Sequence, residues 1–293
     1  MSSIDTAVFP VAGLNTQLLP ITKSVPNEML PLIDKPLVQF AVEEARASGI
    51  RNFIFVSSPD KPSLDEYFRT NHMLEMHLAR SGNTKALDCV RTATLDADSH
   101  WIIHQNEQRG LGHAIWTARA FLSDKPFAVI LPDDFIHASR PALAQMIEMH
   151  ERIGGNLVAS KDVGYDQISK FGCLDIEARA GHCLNIANLV EKPSRYTAPS
   201  SNAVIGRYIL QPSVLRHLEK TPCNHNGKIE LTDAIAADLS ENSAWGIEFE
   251  GQYFDCGTKD GFVGATLALA QSQAHSDHST LQPTGKRSFG LVA

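Results

Sequence analysis

The sequence predicts an α/β protein whose central sheet is mixed and mostly parallel. Three observations carry that reading. Strand-like and helix-like patterns alternate through residue 153, the signature of a doubly wound sheet. Residues 127–131, Phe-Ala-Val-Ile-Leu, are an uninterrupted apolar run that stops at Pro132-Asp133-Asp134, as a strand buried on both faces does. From Gly154 the texture changes to shorter strand-like pieces at 157–160, 171–176, 183–190 and 203–210, which read as a partly antiparallel region.

The first element is a short apolar strand at 7–11. It breaks at Ala12-Gly13 into a loop that stays irregular to residue 36, because Pro20, Pro26, Pro31 and Pro36 each remove an amide donor and restrain the residue before them. A helix at 37–48 follows, with Val38, Ala41, Val42 and Ala45 on one face and Gly49 as its stop. Residues 52–56 read as a buried strand, completing a parallel β-loop-α-β unit. Strand, long polar loop and helix in that order build a ligand site at the carboxyl edge of such a sheet.

Further on, 63–80 reads as one helix with Ser63 as a possible cap, and 81–99 as a polar loop. A strand at 101–103 leads through His104-Gln105 to Gly110-Leu111-Gly112-His113, and a helix occupies about 114–121. Helices are expected at 212–219 and 231–239, a last strand end at 251–256, and a closing helix at 259–272. The segment from Gln273 is rich in Ser, His and Gly and is expected to be mobile.

Bulk properties exclude several function classes. A formal net charge of -7 argues against a general nucleic-acid or anionic-membrane binder, each of which wants a basic face. No apolar run is long enough to span a bilayer, and MSSIDT lacks a signal pattern, so a cytoplasmic protein is expected. The five cysteines are scattered and odd in number, which suits free thiols. Phosphate-loop, dinucleotide-fold and nucleophile-elbow motifs are absent.

Residues 7–36 carry a resemblance. Pro-Val-Ala-Gly-Leu (10–14), Leu-Pro (19–20), Thr-Lys (22–23), Pro-x-Glu-Met-Leu-Pro-Leu (26–32) and Asp-Lys-Pro-Leu (34–37) resemble the signature of the nucleotidyl-sugar pyrophosphorylases. Within them the chain is most similar to the bacterial UTP–glucose-1-phosphate uridylyltransferases, and motifs in family order extend the likeness to about residue 270. The resemblance implies a Rossmann-like, three-layer nucleotide-diphospho-sugar transferase fold. It also implies a single domain over 1–272, with a nucleotide-binding half at about 1–153 and a sugar-phosphate half at about 154–272.

The resemblance also implies roles. Asp133, in Leu-Pro-Asp, and Asp255, in Asp-Cys-Gly, correspond to the ligands of Mg²⁺, which takes hard oxygen donors. Ala12, Gly13, Leu14, Lys23 and Glu28 fall in the nucleotide pocket. Gln105 matches a uracil-reading glutamine, whose carboxamide offers both donor and acceptor, with Gly110 and Gly112 permitting backbone approach. Gly172, Glu191 and Lys192 match the sugar-phosphate site. His113 reads as structural and Asp134 as a solvated neighbour. The 227–235 segment is expected to shape the glucose end. UTP, glucose 1-phosphate and UDP-glucose are the implied ligands, and a homo-oligomer, dimer or tetramer, the implied assembly.

The chain departs from the family at two cations. Gly-Thr-Arg appears as Asn15-Thr16-Gln17, and Pro-Lys-Glu as Pro26-Asn27-Glu28. Gln17 and Asn27 keep hydrogen-bonding capacity at the catalytic positions but no charge, and Lys23, Lys35 and Arg109 are the available substitutes. Three readings stay open: a working uridylyltransferase, a catalytically weak paralogue that binds UDP-glucose or an intact paralogous subunit, and a pyrophosphorylase for another nucleotide or sugar.

Overall fold

The computed structural model describes residues 4–280. A nine-stranded sheet organises it, in the order His100–His104, Asn52–Ser57, Thr6–Pro10, Phe127–Ile130, Asn202–Leu210, Asn156–Asp162, Ala244–Glu248, Cys183–Glu191 and Gly172–Ala180. Only Asn202–Leu210 and Cys183–Glu191 run against the rest. The sheet is therefore mixed and mostly parallel in strand direction.

Period-two alternation sorts each inner strand between two cores. Ala7, Phe9, Phe53, Phe55, Ala128 and Ile130 face one side, where Val38, Val42, Leu143 and Met146 of the helices Leu37–Ala47 and Ala142–Ile153 cover them. Val8, Ile54, Val56, Phe127 and Val129 face the other, under Ile115, Leu218 and Ile235 of the helices Leu111–Thr117, Ser213–Lys220 and Leu231–Asp238. Three layers result because neither face of the sheet can remain wet. Each fully buried aliphatic or Phe side chain contributes about 1.5–3 kcal/mol.

The central strand Asn202–Leu210 is buried along its whole length, yet it contains Arg207. Its pairing with Asn156–Asp162 is irregular between Ile205 and Tyr208, and this bulge turns the Arg207 side chain to partners on other elements. The guanidinium donates to both Glu44 carboxylate oxygens (2.8–3.1 Å) and to the carbonyls of Leu131 and Gly206 (3.0 and 2.9 Å). Glu44, on the helix Leu37–Ala47, is thereby tied to the strand end that leads into Asp133.

Several local expectations change. The stretch 63–80 is two helices, Ser63–Phe68 and His72–Arg80. Phe68 is drawn fully into the core, and Asn71 starts a new helix by accepting from the Leu74 amide at 3.0 Å. Ser63 is not a cap: it lies inside the first turn, and its hydroxyl is buried without a hydrogen-bond partner. The supposed loop at 81–99 contains the helix Thr84–Ala93, capped by Asn83. Its weak apolar signal reflects the single residue it buries, Leu87. The sheet strand Ala244–Glu248 lacks a marked apolar run and escaped the sequence reading. The closing helix extends through Thr280, beyond Gln273, where mobility was expected; residues 281–293 lie outside the described residues. Among the described residues, no helix is long and apolar enough to cross a membrane.

Glu44→Ala would strand Arg207, which is 2% exposed, without its carboxylate. Breaking a buried pair from one side costs about 3–5 kcal/mol. Urea unfolding should show that loss as a lower midpoint, and an unmoved midpoint would contradict the role given to the pair.

Candidate functional site

The site lies at the carboxyl ends of the parallel strands. The first strand, Thr6–Pro10, delivers residues 11–36. As the prolines require, that segment holds only short 3-10 turns at Ile21–Lys23 and Asn27–Met29 and a small ribbon of Pro31–Leu32 with Lys35–Pro36. The strand Phe127–Ile130 delivers Asp133. Asp255 arrives on a separate two-stranded ribbon, where Gln252–Asp255 pairs antiparallel with Asp134–His137, placing Asp255 opposite Asp134. The Cys256 amide then donates to the Asp133 carbonyl at 2.7 Å, which closes the ribbon onto the strand end.

The two aspartates converge on Gly257. A Cβ at that glycine would lie 3.0 Å from Asp255 Oδ1 and 3.5 Å from Asp133 Oδ2, so both carboxylates face one small space that the glycine keeps open. Burial is the main cause that raises the Asp133 carboxyl above its ordinary range, and the Asp255 charge adds to it. Burial likewise raises Asp255. Two hard oxygen donors that resist joint ionisation suit a divalent cation.

Asp134 is not a solvated neighbour. Its Oδ1 accepts from the Tyr253 hydroxyl at 2.6 Å and its Oδ2 from the Gly206 amide at 2.8 Å, so it pins the ribbon to the bulged central strand. Burial, followed by the adjoining Asp133 charge, pushes it up to about 7. Both its oxygens are committed to scaffolding, whereas Asp255 Oδ1 accepts only from the Gly257 amide at 3.0 Å and faces the space that Asp133 shares.

Three cavities meet at Asp133. The first, about 300 Å³, is lined by Gly13, Leu14, Asn15, Gln17, Asn27, Glu28, Asp133 and Asp255 among others. The second, about 280 Å³, is lined by Ala12, Gly13, Leu14, Gln105, Gly110 and Lys228 as well as Asp133. The third, about 360 Å³, holds Gly172, Glu191, Lys192, Thr232 and Tyr253 with both aspartates. Most of the residues singled out from the sequence thus come together. Two do not: Gly112 packs against the Ile229 carbonyl and Leu218, and Lys23, exposed on its 3-10 turn, is absent from the linings of all three cavities.

Within the second cavity the buried Gln105 carboxamide donates to His113 Nδ1 at 2.7 Å and to the Gly110 carbonyl at 3.3 Å. Burial lowers the His113 pKa, in keeping with a neutral ring that accepts at Nδ1. Gly110 adopts φ +91°, where a Cβ would also press on the Ile229 carbonyl at 2.9 Å, so this turn requires glycine. In the third cavity Glu191 Oε2 accepts from the Thr232 hydroxyl at 3.0 Å, and Oε1 lies 3.2 Å from Lys192 Nζ. Lys192 has φ +44°, unusual for a residue with a Cβ, and its amide donates to the Phe171 carbonyl at 3.0 Å.

The residue the sequence reading missed is Lys61. It is 8% exposed, and its ammonium donates to the carbonyls of Val11 (2.6 Å) and Gly13 (2.7 Å) and to both Glu28 oxygens (3.1 and 3.2 Å). It therefore holds the opening loop in shape and has no donor left for a ligand. A signal existed: Lys61 follows the carboxyl end of Asn52–Ser57, the parallel neighbour of the first strand. Asn15 adds a second brace by donating to the Gly257 carbonyl at 2.9 Å. The Asn27 side-chain oxygen is buried without a hydrogen-bond partner.

The other proposed substitutes for the missing cations lie elsewhere. Lys35 pairs with Glu43 at 2.9 Å, and Arg109 sits beside Cys223 and Glu107. Among the described residues, no lysine or arginine lines the first cavity. Lys228, which was not singled out, lines the second and third cavities, and Lys170 lines the third.

Fold and site together define a nucleotidyl transferase. Residues 7–272 match the family described by that name, and the chain belongs to it. Similarity narrows the field to enzymes that handle UTP and glucose 1-phosphate. The chain is 40% identical over 267 residues to UTP–glucose-1-phosphate uridylyltransferase 1 of Staphylococcus saprophyticus, covering 91% of this chain and 93% of that one. It is 38% identical over 270 residues to the Bacillus subtilis enzyme of the same activity, covering 92% of each. A solved UDP-glucose pyrophosphorylase in complex with UDP-glucose superposes with a TM-score of 0.82 at 35% identity, covering 92% of this chain and 99% of that chain. A UTP-bound enzyme from Acinetobacter baumannii gives 0.85 at 30%, covering 95% and 100%.

Lys61→Met leaves Glu28 buried and unpaired and frees the carbonyls of Val11 and Gly13. The expected loss of stability is about 3–5 kcal/mol, read by urea unfolding. Stability equal to that of the parent protein would contradict the brace.

Proposed function

We propose that this chain joins UTP and glucose 1-phosphate to give UDP-glucose and pyrophosphate. The observation that carries the proposal is the meeting of the three cavities at Asp133, with Asp255 facing the same space over Gly257. A reaction between two phosphorylated substrates needs two binding chambers that share one charge-neutralising point.

In this reading the uracil lies in the cavity of Gln105 and Gly110, where the His113 contact orients the carboxamide. The glucose hydroxyls meet Glu191, which Thr232 holds in place, and the sugar phosphate meets Lys192. A phosphate oxygen of glucose 1-phosphate attacks the α-phosphorus of UTP. The bond from that phosphorus to the bridging oxygen breaks, and pyrophosphate leaves along the same line. The attacking oxygen is already ionised, so no general base is required, and catalysis rests on positioning and charge neutralisation. Asp133 and Asp255 would hold Mg²⁺, which supplies neutralisation of the crowded phosphate charge when bound. A homo-oligomer belongs to the same proposal.

The first cavity is acidic through Glu28, Asp133 and Asp255. A triphosphate there depends on the cation, because Gln17 and Asn27 offer only neutral donors. That feature gives the second reading, a weakly catalytic paralogue that binds UDP-glucose, its one specific support.

Pyrophosphate release with UTP, glucose 1-phosphate and Mg²⁺ tests the proposal. Mg²⁺-dependent turnover is expected, below the ordinary enzyme range of about 1–10³ s⁻¹, whereas UDP-glucose binding without turnover would select the paralogue. Asp133→Ala and Asp255→Ala should each abolish the metal-dependent rate; activity surviving in both would overturn the metal assignment. Gln17→Arg with Asn27→Lys should raise turnover, since a single phosphoryl-transfer arginine is worth roughly 10³–10⁵ in rate where its place is not otherwise filled. An unchanged rate in that double variant would mean that these positions do not limit the reaction.

A further inference from the structure

On another part of the molecule, the end of the helix Ser213–Lys220 meets the end of the helix Leu231–Asp238. His217, Asp238 and Glu241 each present one ligand atom there, and the three atoms lie within 4.8 Å of one another. The turn after the second helix brings Glu241 back, with the Glu241 and Asn242 amides donating to the Asp238 carbonyl at 2.9 and 2.8 Å.

Asp238 is fully buried. Its Oδ2 accepts from Asn156 Nδ2 at 2.6 Å and from Asn242 Nδ2 at 3.1 Å. Its Oδ1 is buried and has no hydrogen bond; the nearest ion-pair atom is His217 Nε2, at 3.4 Å. A buried carboxylate oxygen without a donor is destabilising unless a cation faces it. His217 Nε2 in turn lies 3.2 Å from Glu241 Oε1, while Arg216 bonds the other Glu241 oxygen at 2.6 Å and fixes that carboxylate.

We propose that His217 Nε2, Asp238 Oδ1 and Glu241 Oε1 form a second metal site, for Zn²⁺ or a closely similar first-row transition ion. Tetrahedral Zn²⁺ with bonds of about 2.0–2.1 Å sets its ligand atoms about 3.3–3.4 Å apart, which the 3.4 and 3.2 Å separations of His217 Nε2 from Asp238 Oδ1 and Glu241 Oε1 match, with the third pair within 4.8 Å. An imidazole with two carboxylates suits Zn²⁺, whereas Mg²⁺ and Ca²⁺ favour all-oxygen sets. Asn156 and Asn242 orient the Asp238 ligand through its other oxygen, the outer support that metal carboxylates need. The fourth position falls to water, because His217 is still partly exposed. Such an ion would fasten together two helices that cover the sheet, and the second of them carries Thr232, the partner of Glu191.

The test uses the full chain carrying Asp133→Asn and Asp255→Asn, which removes the reaction-site carboxylates from the count. After chelation, Zn²⁺ is titrated by calorimetry and Co²⁺ by visible absorption. One equivalent of Zn²⁺ should bind, Co²⁺ should give the intense bands of a tetrahedral centre, and both affinities should fall at least tenfold on adding His217→Ala. Glu241→Gln, a nearly isosteric change, should weaken binding in the same sense and serves if His217→Ala fails to fold. No Zn²⁺ binding by the folded parent would overturn the site, leaving the cluster as a plain histidine ion pair. Binding that neither His217→Ala nor Glu241→Gln weakens would overturn it equally.

Discussion

The convergence of Asp133 and Asp255 depends on one antiparallel ribbon. Asp133 and Asp255 are 122 positions apart in the chain, and only the pairing of Asp134–His137 with Gln252–Asp255 brings them to the same space. Asp134 fixes that ribbon from both sides, through the Tyr253 hydroxyl and the Gly206 amide. The bulge in the central strand that exposes the Gly206 amide to Asp134 also sends Arg207 to Glu44. One irregularity in a buried strand thus supports both the scaffold and the convergence of the carboxylates. Gly257 completes it by leaving the space between them empty of side chain.

The opening loop answers a different constraint. It is rich in proline and poor in regular hydrogen bonds, so its backbone needs partners from elsewhere. Lys61 supplies them to Val11 and Gly13, and Glu28 balances the buried charge. Asn15, where the family has glycine, ties the loop to Gly257. Asn15 and Lys61 are therefore employed as braces. The first cavity becomes a chamber of neutral donors and carboxylates.

The α/β alternation was legible from the apolar runs Phe127–Ile130 and Asn52–Ser57 and the helical spacing of Leu37–Ala47, while the three-layer arrangement was implied by the family resemblance. Asp133 and Asp255 stood out through their motifs, and the structure brings both to the same cavities. What escaped has physical reasons. Thr84–Ala93 buries a single residue, so its pattern is faint. Asp134 looks like any acidic residue in a turn until Tyr253, 119 positions away, is seen to donate to it. Lys61 carries no pattern except its place after a strand end, and its role depends on loop carbonyls that no side-chain sequence encodes. The cluster of His217, Asp238 and Glu241 forms where two helices end, and its members are too far apart in sequence to suggest a site.

In the proposed reaction Asp133 and Asp255 would act together on one cation at the junction of the cavities. The most direct measurement is the anomalous diffraction of crystals grown with UDP-glucose and Mn²⁺ in place of Mg²⁺. A manganese peak is expected between the two carboxylates, over Gly257 and against the nucleotide phosphates. A bound nucleotide sugar with manganese held elsewhere, or with no manganese near either aspartate, would contradict it.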